Sequence, residues 1–342
     1  MKISICIPTY NRSKHLQNCL HSIFSNQSIS EIEFEVCVSD NCSTDNTEEV
    51  VQAISKKYPI KYNRNPSNLG IPRNFLKVVS MAEGEFVWLI GDDDLLLPNA
   101  LEQLNGLINR YKDVDFFFIN SYHLYADYVF SFPQPFDLAN LPQKMIPFSS
   151  WEISKELKFF ELIDYRISFD FLAGMYLSVF RRENWILNVD ALDKNAINDK
   201  RTFSHFDNTY PHVKIFSRAF AKSNAYLHAQ PLSICLSGAR EWVAMGTFVH
   251  SVRLVEVLEE YRKNGMPLWQ FIKNKNYTLN RFLPHFFLML YHKKTSGFEY
   301  INPWKLLLNN CLYPNFYLSL PYYFIRKIKN LFSPVKSSEK EN

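Results

Sequence analysis

Residues 85–95 read EFVWLIGDDDL, and this stretch decides the fold class of the chain. An apolar run of strand length ends at Ile90, and the consecutive carboxylates of Asp92, Asp93 and Asp94 follow it almost at once. Carboxylates at such close range repel one another, which makes the loop electrostatically costly. A divalent cation would relieve this cost, because Mg²⁺ and Mn²⁺ prefer hard oxygen ligands. The alternative interpretation of the three carboxylates is a solvated loop that provides an acidic helix N-cap.

The residues around this stretch alternate between strand and helix patterns. Five short apolar runs predict strands, at residues 2–7, 34–39, 58–62, 85–90 and 115–120. Four segments with helical spacing or helix start signals predict helices, at residues 13–24, 45–54, 72–81 and 99–110. This alternation is typical of a Rossmann-like α/β fold with a mostly parallel sheet and helices on both faces. In such folds ligands bind beyond the carboxyl ends of the strands, so we expect the site there.

Two more strand ends carry polar or aromatic residues. Residues 7–12 read IPTYNR, a turn that places the Tyr10 ring beside the edge of the predicted sheet. Residues 38–45 read VSDNCSTD, a polar loop that leads into a helix N-terminus. Farther along, the pattern predicts a helix at 151–164, a strand at 171–180 and a helix at 210–221.

Composition excludes several classes of protein. The net charge of +4 and the pI of about 8.6 are too mild for a nucleic-acid-binding protein, which usually has a concentrated basic stripe. The six cysteines form no CxxC pair, so they are expected to be reduced thiols of a cytoplasmic protein. The first residues lack the pattern of a signal peptide. No apolar run approaches the roughly 18 residues that span a bilayer, so we expect a cytoplasmic protein, on or off a membrane surface.

Four motifs in this order and spacing resemble those of the family 2 glycosyltransferases, which have the GT-A fold. They are residues 8–12 (PTYNR), residues 40–45 (DNCSTD), residues 68–74 (NLGIPRN), and Ala82-Glu83-Gly84-Glu85 leading into Asp92-Asp93 and Pro98. The resemblance implies that the chain transfers a sugar from a nucleotide-sugar donor. A sugar-nucleotide-binding assembly partner without activity, a nucleotidyltransferase of similar fold and a hydrolase are the rival interpretations.

The resemblance also implies which residues hold the donor. Pro8 and Tyr10 match the turn that holds the nucleotide base, where Tyr10 is available for stacking. Asp40 matches the aspartate that accepts a hydrogen bond from the base, and Arg73 matches an arginine near the base and phosphates. These four residues are therefore expected to bind the nucleotide sugar.

The family's metal motif matches Asp92 and Asp93, with Asp93 expected to be the direct ligand of Mg²⁺ or Mn²⁺ and Asp92 to bind substrate. The usual motif reads Asp-x-Asp, but here Gly91 occupies the first aspartate position. A second departure is Asn41, where the family often has another aspartate. Both departures leave the metal ligand in place and put the sugar preference in doubt.

An acceptor hydroxyl is a weak nucleophile, so the reaction needs a general base. The family supplies a carboxylate before a helix in its second half, and the best match here is Asp207. Asp207 is therefore our candidate catalytic base, with His205 and Asp170 as competitors. The alternative for Asp207 is a simple helix N-cap.

The resemblance divides the chain into parts with different expected roles: a nucleotide-sugar-binding half at 1–120, an acceptor-binding half at 121–240, a helical, aromatic-rich region at 241–335 and a disordered tail at 336–342. Residues 312–332 mix Tyr, Phe and Leu with Arg326, Lys327 and Lys329. This pattern suits the headgroup boundary of an anionic membrane, and a helix packed on the sheet is the alternative.

Within the family, the Gly91–Asp94 stretch and the length are similar to those of O-antigen abequosyltransferases. That similarity implies transfer of a 3,6-dideoxyhexose from a CDP-sugar to an undecaprenyl-diphosphate-linked oligosaccharide, at the inner face of the cell membrane. A UDP- or GDP-sugar for another surface polysaccharide is the alternative donor.

Overall fold

The structure is a computed structural model that describes residues 2–25, 32–238 and 243–332. In these residues the backbone forms a ten-stranded sheet with the order β3-β2-β1-β4-β9-β6-β10-β5, in which β7 pairs with β6 and β8 with β10. The strands are β1 (Ile3–Thr9), β2 (Phe34–Asp40), β3 (Ile60–Arg64), β4 (Phe86–Leu89), β5 (Asp94–Leu96), β6 (Val114–Tyr125), β7 (Ile146–Pro147), β8 (Lys155–Lys158), β9 (Ser178–Arg181) and β10 (Asn224–Ser237).

The four strands at one side of the sheet, β3, β2, β1 and β4, run parallel. All seven residues of β1 are buried, which shows that both faces of the sheet are covered there. Thr9 at the end of β1 pairs with Asp40 at the end of β2, and β4 ends beside them. The carboxyl ends of these strands therefore meet at one edge of the sheet, as the sequence predicts.

The other side of the sheet is mixed. Strand β9 lies antiparallel between β4 and β6, and β10 pairs in parallel with β6 and antiparallel with β5 and β8. The sequence predicts a mostly parallel sheet because only the β-α alternation of its first 120 residues has a clear signal. Strands β7, β8 and β9 have only two to four residues each and lie antiparallel to their neighbours, which no local pattern reports.

Helices surround the sheet and form the C-terminal region. They are α1 (Ser13–Phe24), α2 (Thr47–Ser55), α3 (Ile71–Met81), α4 (Ala100–Arg110), α5 (Ala126–Phe130), α6 (Arg182–Ile186), α7 (Lys194–Asn198), α8 (Phe206–Thr209), α9 (Pro211–Ala219), α10 (Gly246–Phe248), α11 (Leu254–Lys263), α12 (Leu268–Thr278), α13 (Phe282–Tyr291), α14 (Pro303–Asn310) and α15 (Pro314–Phe332). A π-helical turn, Val249–Arg253, joins α10 to α11.

Two of the predicted elements are wrong in the second part of the chain. Residues 151–164 are not a helix, because they contain β8 and a short 3₁₀ turn, Phe159–Leu162. The strand predicted at 171–180 is limited to β9, since Phe171 and Leu172 have φ angles of 54° and 69°. A positive φ is incompatible with a strand, and a short apolar run does not distinguish a strand from a buried turn.

The sheet and its helices share one large hydrophobic core that extends to Tyr261 and Met266 in the C-terminal region. Phe116 on β6 contacts the rings of Phe159, Phe216 and Phe220 edge to face, with centroids 5.0 to 5.2 Å apart. Such aromatic packing explains much of the high Phe content beyond residue 110 as core structure.

The region after β10 is helical, as the sequence predicts. Among the described residues, none of the helices combines the length and apolar character that crossing a membrane requires. The six cysteines all lie in the described part of the chain and none forms a disulfide. The tail predicted at 336–342 falls outside the described residues.

Candidate active site

The ends of β1 and β4 are joined by side chains at the carboxyl edge of the sheet. The Oγ1 hydroxyl of Thr9 donates a hydrogen bond to Oδ2 of Asp92 over 2.8 Å. Nη1 of Arg12 donates to Oδ1 of Asp92 at 3.0 Å and to Oδ2 of Asp93 at 3.1 Å. The two carboxylates thus converge on a single cationic atom. The structure therefore brings Asp92 and Asp93 together as the sequence predicts, and it adds Thr9 and Arg12 to the site.

Burial makes the Asp92 carboxyl electrostatically unusual, because only 5% of the residue is exposed. Loss of water around it raises the pKa of Asp92 to about 6, with Asp93 adding to the rise and Arg12 opposing it. A buried carboxylate of this kind is stabilised by any cation that approaches it. This part of the edge is therefore suited to a positively charged ligand.

The loop after β4 brings the carboxylates of Asp93 and Asp94 close to Gly91. The backbone N–H of Gly91 donates to Oδ2 of Asp94 at 2.6 Å. A Cβ on Gly91 would lie 2.5 Å from Oδ1 of Asp93 and 3.1 Å from Oδ2 of Asp94. The chain enters β5 at Asp94 directly afterwards. The departure from the Asp-x-Asp pattern is therefore a steric property of this loop, which directs the carboxylate of Asp94 inward.

Asp40, at the end of β2, is fully buried. Its Oδ1 accepts a hydrogen bond from the backbone N–H of Ser43 at 2.8 Å, and its Oδ2 accepts from the hydroxyl of Tyr62 at 2.7 Å. In this structure Asp40 therefore stabilises the β2–α2 loop and links it to β3. Contact between Asp40 and a nucleotide base stays a prediction.

A network of buried asparagines joins the loops behind this edge. Oδ1 of Asn74 accepts hydrogen bonds from Oγ of Ser39 at 2.7 Å and from Nδ2 of Asn65 at 3.0 Å. Asn41 donates to Oδ1 of Asn68 at 2.8 Å and accepts from the backbone N–H of Leu69 at 2.8 Å. Asn41, the second departure from the family pattern, is thus a structural residue that fixes the segment before α3.

The loops after β1 and β2 are also bonded to each other. The backbone N–H of Asn11 donates to Oγ of Ser43 at 2.8 Å, and Oδ1 of Asn11 accepts from the backbone N–H of Thr44 at 2.7 Å. Asn11 and Cys42 have φ angles of 53° and 68°. Such backbone strain persists only where surrounding contacts enforce it, and it is concentrated at functional sites.

The other predicted donor-binding residues lie around this edge with different exposures. Tyr10 is 40% exposed at the end of β1, and Arg73 is exposed on the first turn of α3. Both side chains are accessible to a ligand. Pro8 is buried inside β1, where it pairs with Ser39, so it shapes the strand end beneath Tyr10.

The segment before β9 lies at the same edge, because β9 runs antiparallel to β4 and begins where β4 ends. The indole Nε1 of Trp88 donates to the carbonyl of Tyr176 at 2.9 Å. Asp170 accepts hydrogen bonds from the hydroxyl of Ser168 and, at 2.8 Å, from the backbone N–H of Gly174. Asp170 therefore organises a turn at the carboxyl edge.

Asp207 is buried on α8, which contacts α3 and α9. Its carboxylate pairs with Nζ of Lys214 at 2.9 and 3.0 Å and accepts from the backbone N–H of Asp193 at 2.7 Å. The N-cap of α8 is His205, so the simple N-cap alternative for Asp207 is wrong. His205 itself is half exposed and contacts Asp199, with Nε2 3.1 Å from Oδ2.

A surface cleft of about 440 Å³ adjoins Asp207 through the segment that precedes α8. Its lining combines hydrogen-bonding groups with apolar surface and comes from Asp193, Asn195, Ala196, Asn198, Asp199 and His205. Hydroxyl-rich molecules match such a lining. No signal in the sequence pointed to this cleft, because its residues carry no recognisable spacing.

The residues at the edge fit a divalent cation. In the described part of the chain, no cluster of three or more His, Cys, Asp or Glu side chains could hold a metal by itself. Mg²⁺ in phosphate-transferring sites typically takes one or two carboxylates and completes its ligands with water and substrate phosphates. Asp92 and Asp93, which already converge on the cationic Nη1 of Arg12, provide that arrangement.

Solved structures of other proteins define the fold. TarS of Staphylococcus aureus (residues 1–349, in complex with UDP-GlcNAc) superposes with a TM-score of 0.58 at 18% identity, covering 82% of this chain and 72% of that one. The mannosyltransferase PcManGT of Pyrobaculum calidifontis, in complex with GDP-Man and Mn²⁺, superposes with a TM-score of 0.50 at 14% identity, covering 97% and 87%. The chain therefore has the GT-A fold of glycosyltransferases, which confirms the expected fold class.

The sequence comparisons identify the family. Residues 4–157 match the model of glycosyl transferase family 2. The abequosyltransferase RfbV of Salmonella typhimurium is 32% identical over 239 residues, which are 69% of this chain and 66% of RfbV. TarS of Staphylococcus aureus is 35% identical over 114 residues, 32% of this chain and 19% of TarS. The chain thus spans just under two thirds of the first relative and a fifth of the second. Residues 4–157 thus form a domain of glycosyl transferase family 2, and the chain is similar to an abequosyltransferase.

Proposed function

We propose that the chain is a metal-dependent glycosyltransferase that moves a sugar from a nucleotide-sugar donor to a hydroxyl of an oligosaccharide. The observation that carries the proposal is the convergence of Asp92 and Asp93 on one cationic atom at the carboxyl edge of β4. The exposed side chains of Tyr10 and Arg73 lie around the same edge. This is where open α/β folds bind their ligands.

Each residue at the edge has a proposed part in donor binding. The exposed Tyr10 ring stacks on the base, with Pro8 beneath it and Asp40 as the acceptor for a base N–H. Arg73 and Arg12 neutralise phosphate charge, and Asp93 holds the metal with Asp92 beside it. The metal, Mg²⁺ or Mn²⁺, would act as a Lewis acid that stabilises the charge of the departing nucleoside diphosphate.

Asp207 is the proposed general base that takes the proton of the acceptor hydroxyl. Its place on α8 supports this role, because α8 packs against α3, whose first turn carries Arg73. The cleft beside it offers room for an acceptor sugar. Lys214 orients the carboxylate of Asp207 through its ion pair. His205 and Asp170 stay as the competing candidates.

The similarity to the Salmonella abequosyltransferase supports a proposal for the donor and acceptor. We infer a CDP-linked 3,6-dideoxyhexose such as abequose as donor and an undecaprenyl-diphosphate-linked oligosaccharide of O-antigen synthesis as acceptor. A second relative is the GalNAc(5)-diNAcBac-PP-undecaprenol beta-1,3-glucosyltransferase of Campylobacter jejuni, which is 38% identical over 114 residues. Its name supports the proposal of a lipid-linked acceptor. A lipid-linked acceptor places the enzyme in the cytoplasm, at the inner face of the cell membrane.

Calorimetric titration of the purified protein with CDP, UDP and GDP, each with and without Mn²⁺, tests the proposal. We expect Mn²⁺-dependent binding of CDP, and Asp93→Ala should lose the Mn²⁺-dependent increment while keeping the native circular dichroism spectrum. The matched control is Asp113→Ala, an exposed aspartate in the loop before β6. A preference for UDP or GDP would discard the CDP-sugar donor but keep the glycosyltransferase. Absence of binding to all three nucleotides by folded protein would overturn the proposal.

A further inference from the structure

The last described helix, α15, is apolar on two opposite sides. Its inner side is packed on the protein, where Phe316 and Ser319 are buried. At about 100° per residue, the arc of about 160° on the other side holds the exposed Lys329 and seven exposed apolar residues. They are Tyr317, Leu318, Pro321, Tyr322, Phe324, Ile325 and Ile328. A surface helix normally turns its polar side outwards, so an outer side this rich in apolar side chains indicates a partner.

The two helices before α15 also expose large apolar residues. Trp304 and Leu308 lie one turn apart on α14 and are 75% and 70% exposed. On α13, which packs against α15, Phe287 and Tyr291 are exposed one turn apart. Single exposed apolar residues are ordinary, but a set of this size concentrated on three successive helices marks an interaction surface.

The charge of the C-terminal helices indicates which kind of partner covers their exposed apolar residues. Residues 262–332 contain eleven Lys and Arg side chains and a single acidic residue, Glu299, whereas the whole chain has 38 basic against 34 acidic residues. Lys293, Lys294, Lys305 and Lys327 are all exposed beside the apolar side chains. An apolar surface with a basic border matches the boundary between acyl chains and anionic headgroups.

We propose that the outer sides of α13, α14 and α15 form a surface that lies in the headgroup region of an anionic membrane. The helices lie on the bilayer rather than cross it, since none of the described helices is long and apolar enough to span it. The aromatic and aliphatic side chains enter the acyl boundary, and the lysines contact lipid phosphates. The proposal stands on surface chemistry alone and is independent of the sugar that the enzyme transfers.

Co-sedimentation with lipid vesicles tests this surface. The wild-type protein should pellet with vesicles of phosphatidylcholine and phosphatidylglycerol, and added salt should weaken the binding because the lysines contribute. The triple variant Phe324→Ser, Ile325→Ser, Ile328→Ser should partition at least about tenfold less, since three large apolar side chains no longer insert. The matched control, Ile153→Ser with Leu187→Ser, changes two apolar residues that are each 67% exposed elsewhere and should bind like the wild type.

Three results would overturn the proposal: a wild type that stays in the supernatant, a triple variant that pellets equally, or equal binding to pure phosphatidylcholine. Light scattering that shows a wild-type dimer and a monomeric triple variant would also overturn it, because a second copy would then cover the surface. Nucleotide titration of the same samples reports the fold and the donor site. A triple variant that binds nucleotide but not vesicles supports the proposed membrane surface. A wild-type protein that binds vesicles but no nucleotide would count only against the proposed glycosyltransferase function.

Discussion

The hydroxyl of Thr9 donates a hydrogen bond to the carboxylate of Asp92, and these two residues close the gap between the ends of β1 and β4. Both residues are buried, at 3% and 5% exposure. The valine of a Thr9→Val variant has nearly the same shape but no hydroxyl, so one oxygen of a buried carboxylate would lose a donor. We expect a loss of about 1–3 kcal/mol in the free energy of unfolding, measured by urea denaturation.

Thr9→Ser is the matched control for this bond, because serine retains the hydroxyl and loses only a methyl group. Its stability should lie closer to that of the wild type than the stability of Thr9→Val does. Equal stability of the two variants would show that the hydrogen bond to Asp92 contributes nothing.

Gly91→Ala should damage the site more than the fold. The added Cβ would lie 2.5 Å from Oδ1 of Asp93, so the carboxylate of Asp93 has to move. We expect turnover to fall by about tenfold or more, because misplacement of a reacting or binding group by about 1 Å has effects of this size. Steady-state kinetics at saturating donor, together with urea denaturation, provides the measurement.

Gly106→Ala is the control for Gly91→Ala. Gly106 lies inside α4 and a Cβ there meets no atom within 4 Å. Alanine at this position should raise stability by about 0.5–1 kcal/mol and leave turnover unchanged. The steric account of Gly91 fails if Gly91→Ala retains full turnover.

Asp207→Asn should reduce turnover by about 10²-fold or more and leave the donor affinity within a few-fold of that of the wild type, because a general base acts on the acceptor. Single-turnover kinetics and nucleotide titration separate the two effects. Asp170→Asn and His205→Ala, made in parallel, should retain most turnover. A variant of Asp207 that loses donor binding, or a larger turnover defect in Asp170→Asn, would move the base to another residue.

His212 makes a pH dependence of stability predictable. It is buried on α9, where its Nε2 donates to the carbonyl of Ala173 at 3.0 Å, and burial lowers the pKa of His212 to about 4. The unfolded chain therefore binds more protons between about pH 6.5 and pH 4, so stability is complete above pH 6.5 and declines as pH falls towards 4. The decline from this group is at most about 3 kcal/mol.

Urea denaturation of the wild type and of His212→Gln at several pH values between about 7 and 5 measures this contribution. Glutamine does not titrate, so the stability of the variant should depend less steeply on pH than that of the wild type. Parallel pH profiles of the two proteins would show that another group causes the loss of stability in acid. The first candidate is then the buried His285, whose pKa is also lowered to about 4.

Apart from the short strand β5, the elements of the first 120 residues could be predicted, because each has a local sequence pattern. Helix α1 has the predicted bounds, since Leu16, Leu20, Ile23 and Phe24 mark a buried stripe at helical spacing. The second part could not be predicted in the same way. Its backbone follows tertiary contacts instead, as at Phe171, whose carbonyl accepts a hydrogen bond from the hydroxyl of Tyr261 at 2.9 Å across 90 positions.

The candidate site shows the same division. The sequence alone identifies Asp92 and Asp93 as candidate site residues, because a run of carboxylates directly after an apolar strand is a local pattern. The positions of Arg12 between these carboxylates and of Lys214 beside Asp207 are results of folding. Charge partners separated by 80 positions, such as Arg12 and Asp92, leave no pattern in a single sequence.

The asparagine network behind the edge has a consequence for how the enzyme responds to its surroundings. Amide side chains neither ionise nor attract counterions, so the bonds that Asn41, Asn65 and Asn74 make have the same strength in acid, in base and in salt. Changes of solvent therefore act first on the charged side chains at the edge, such as Asp92, Asp93 and Arg12, while the loops that the asparagines join stay in place. Acid is therefore expected to change the charge of the edge without weakening the hydrogen bonds among these asparagines.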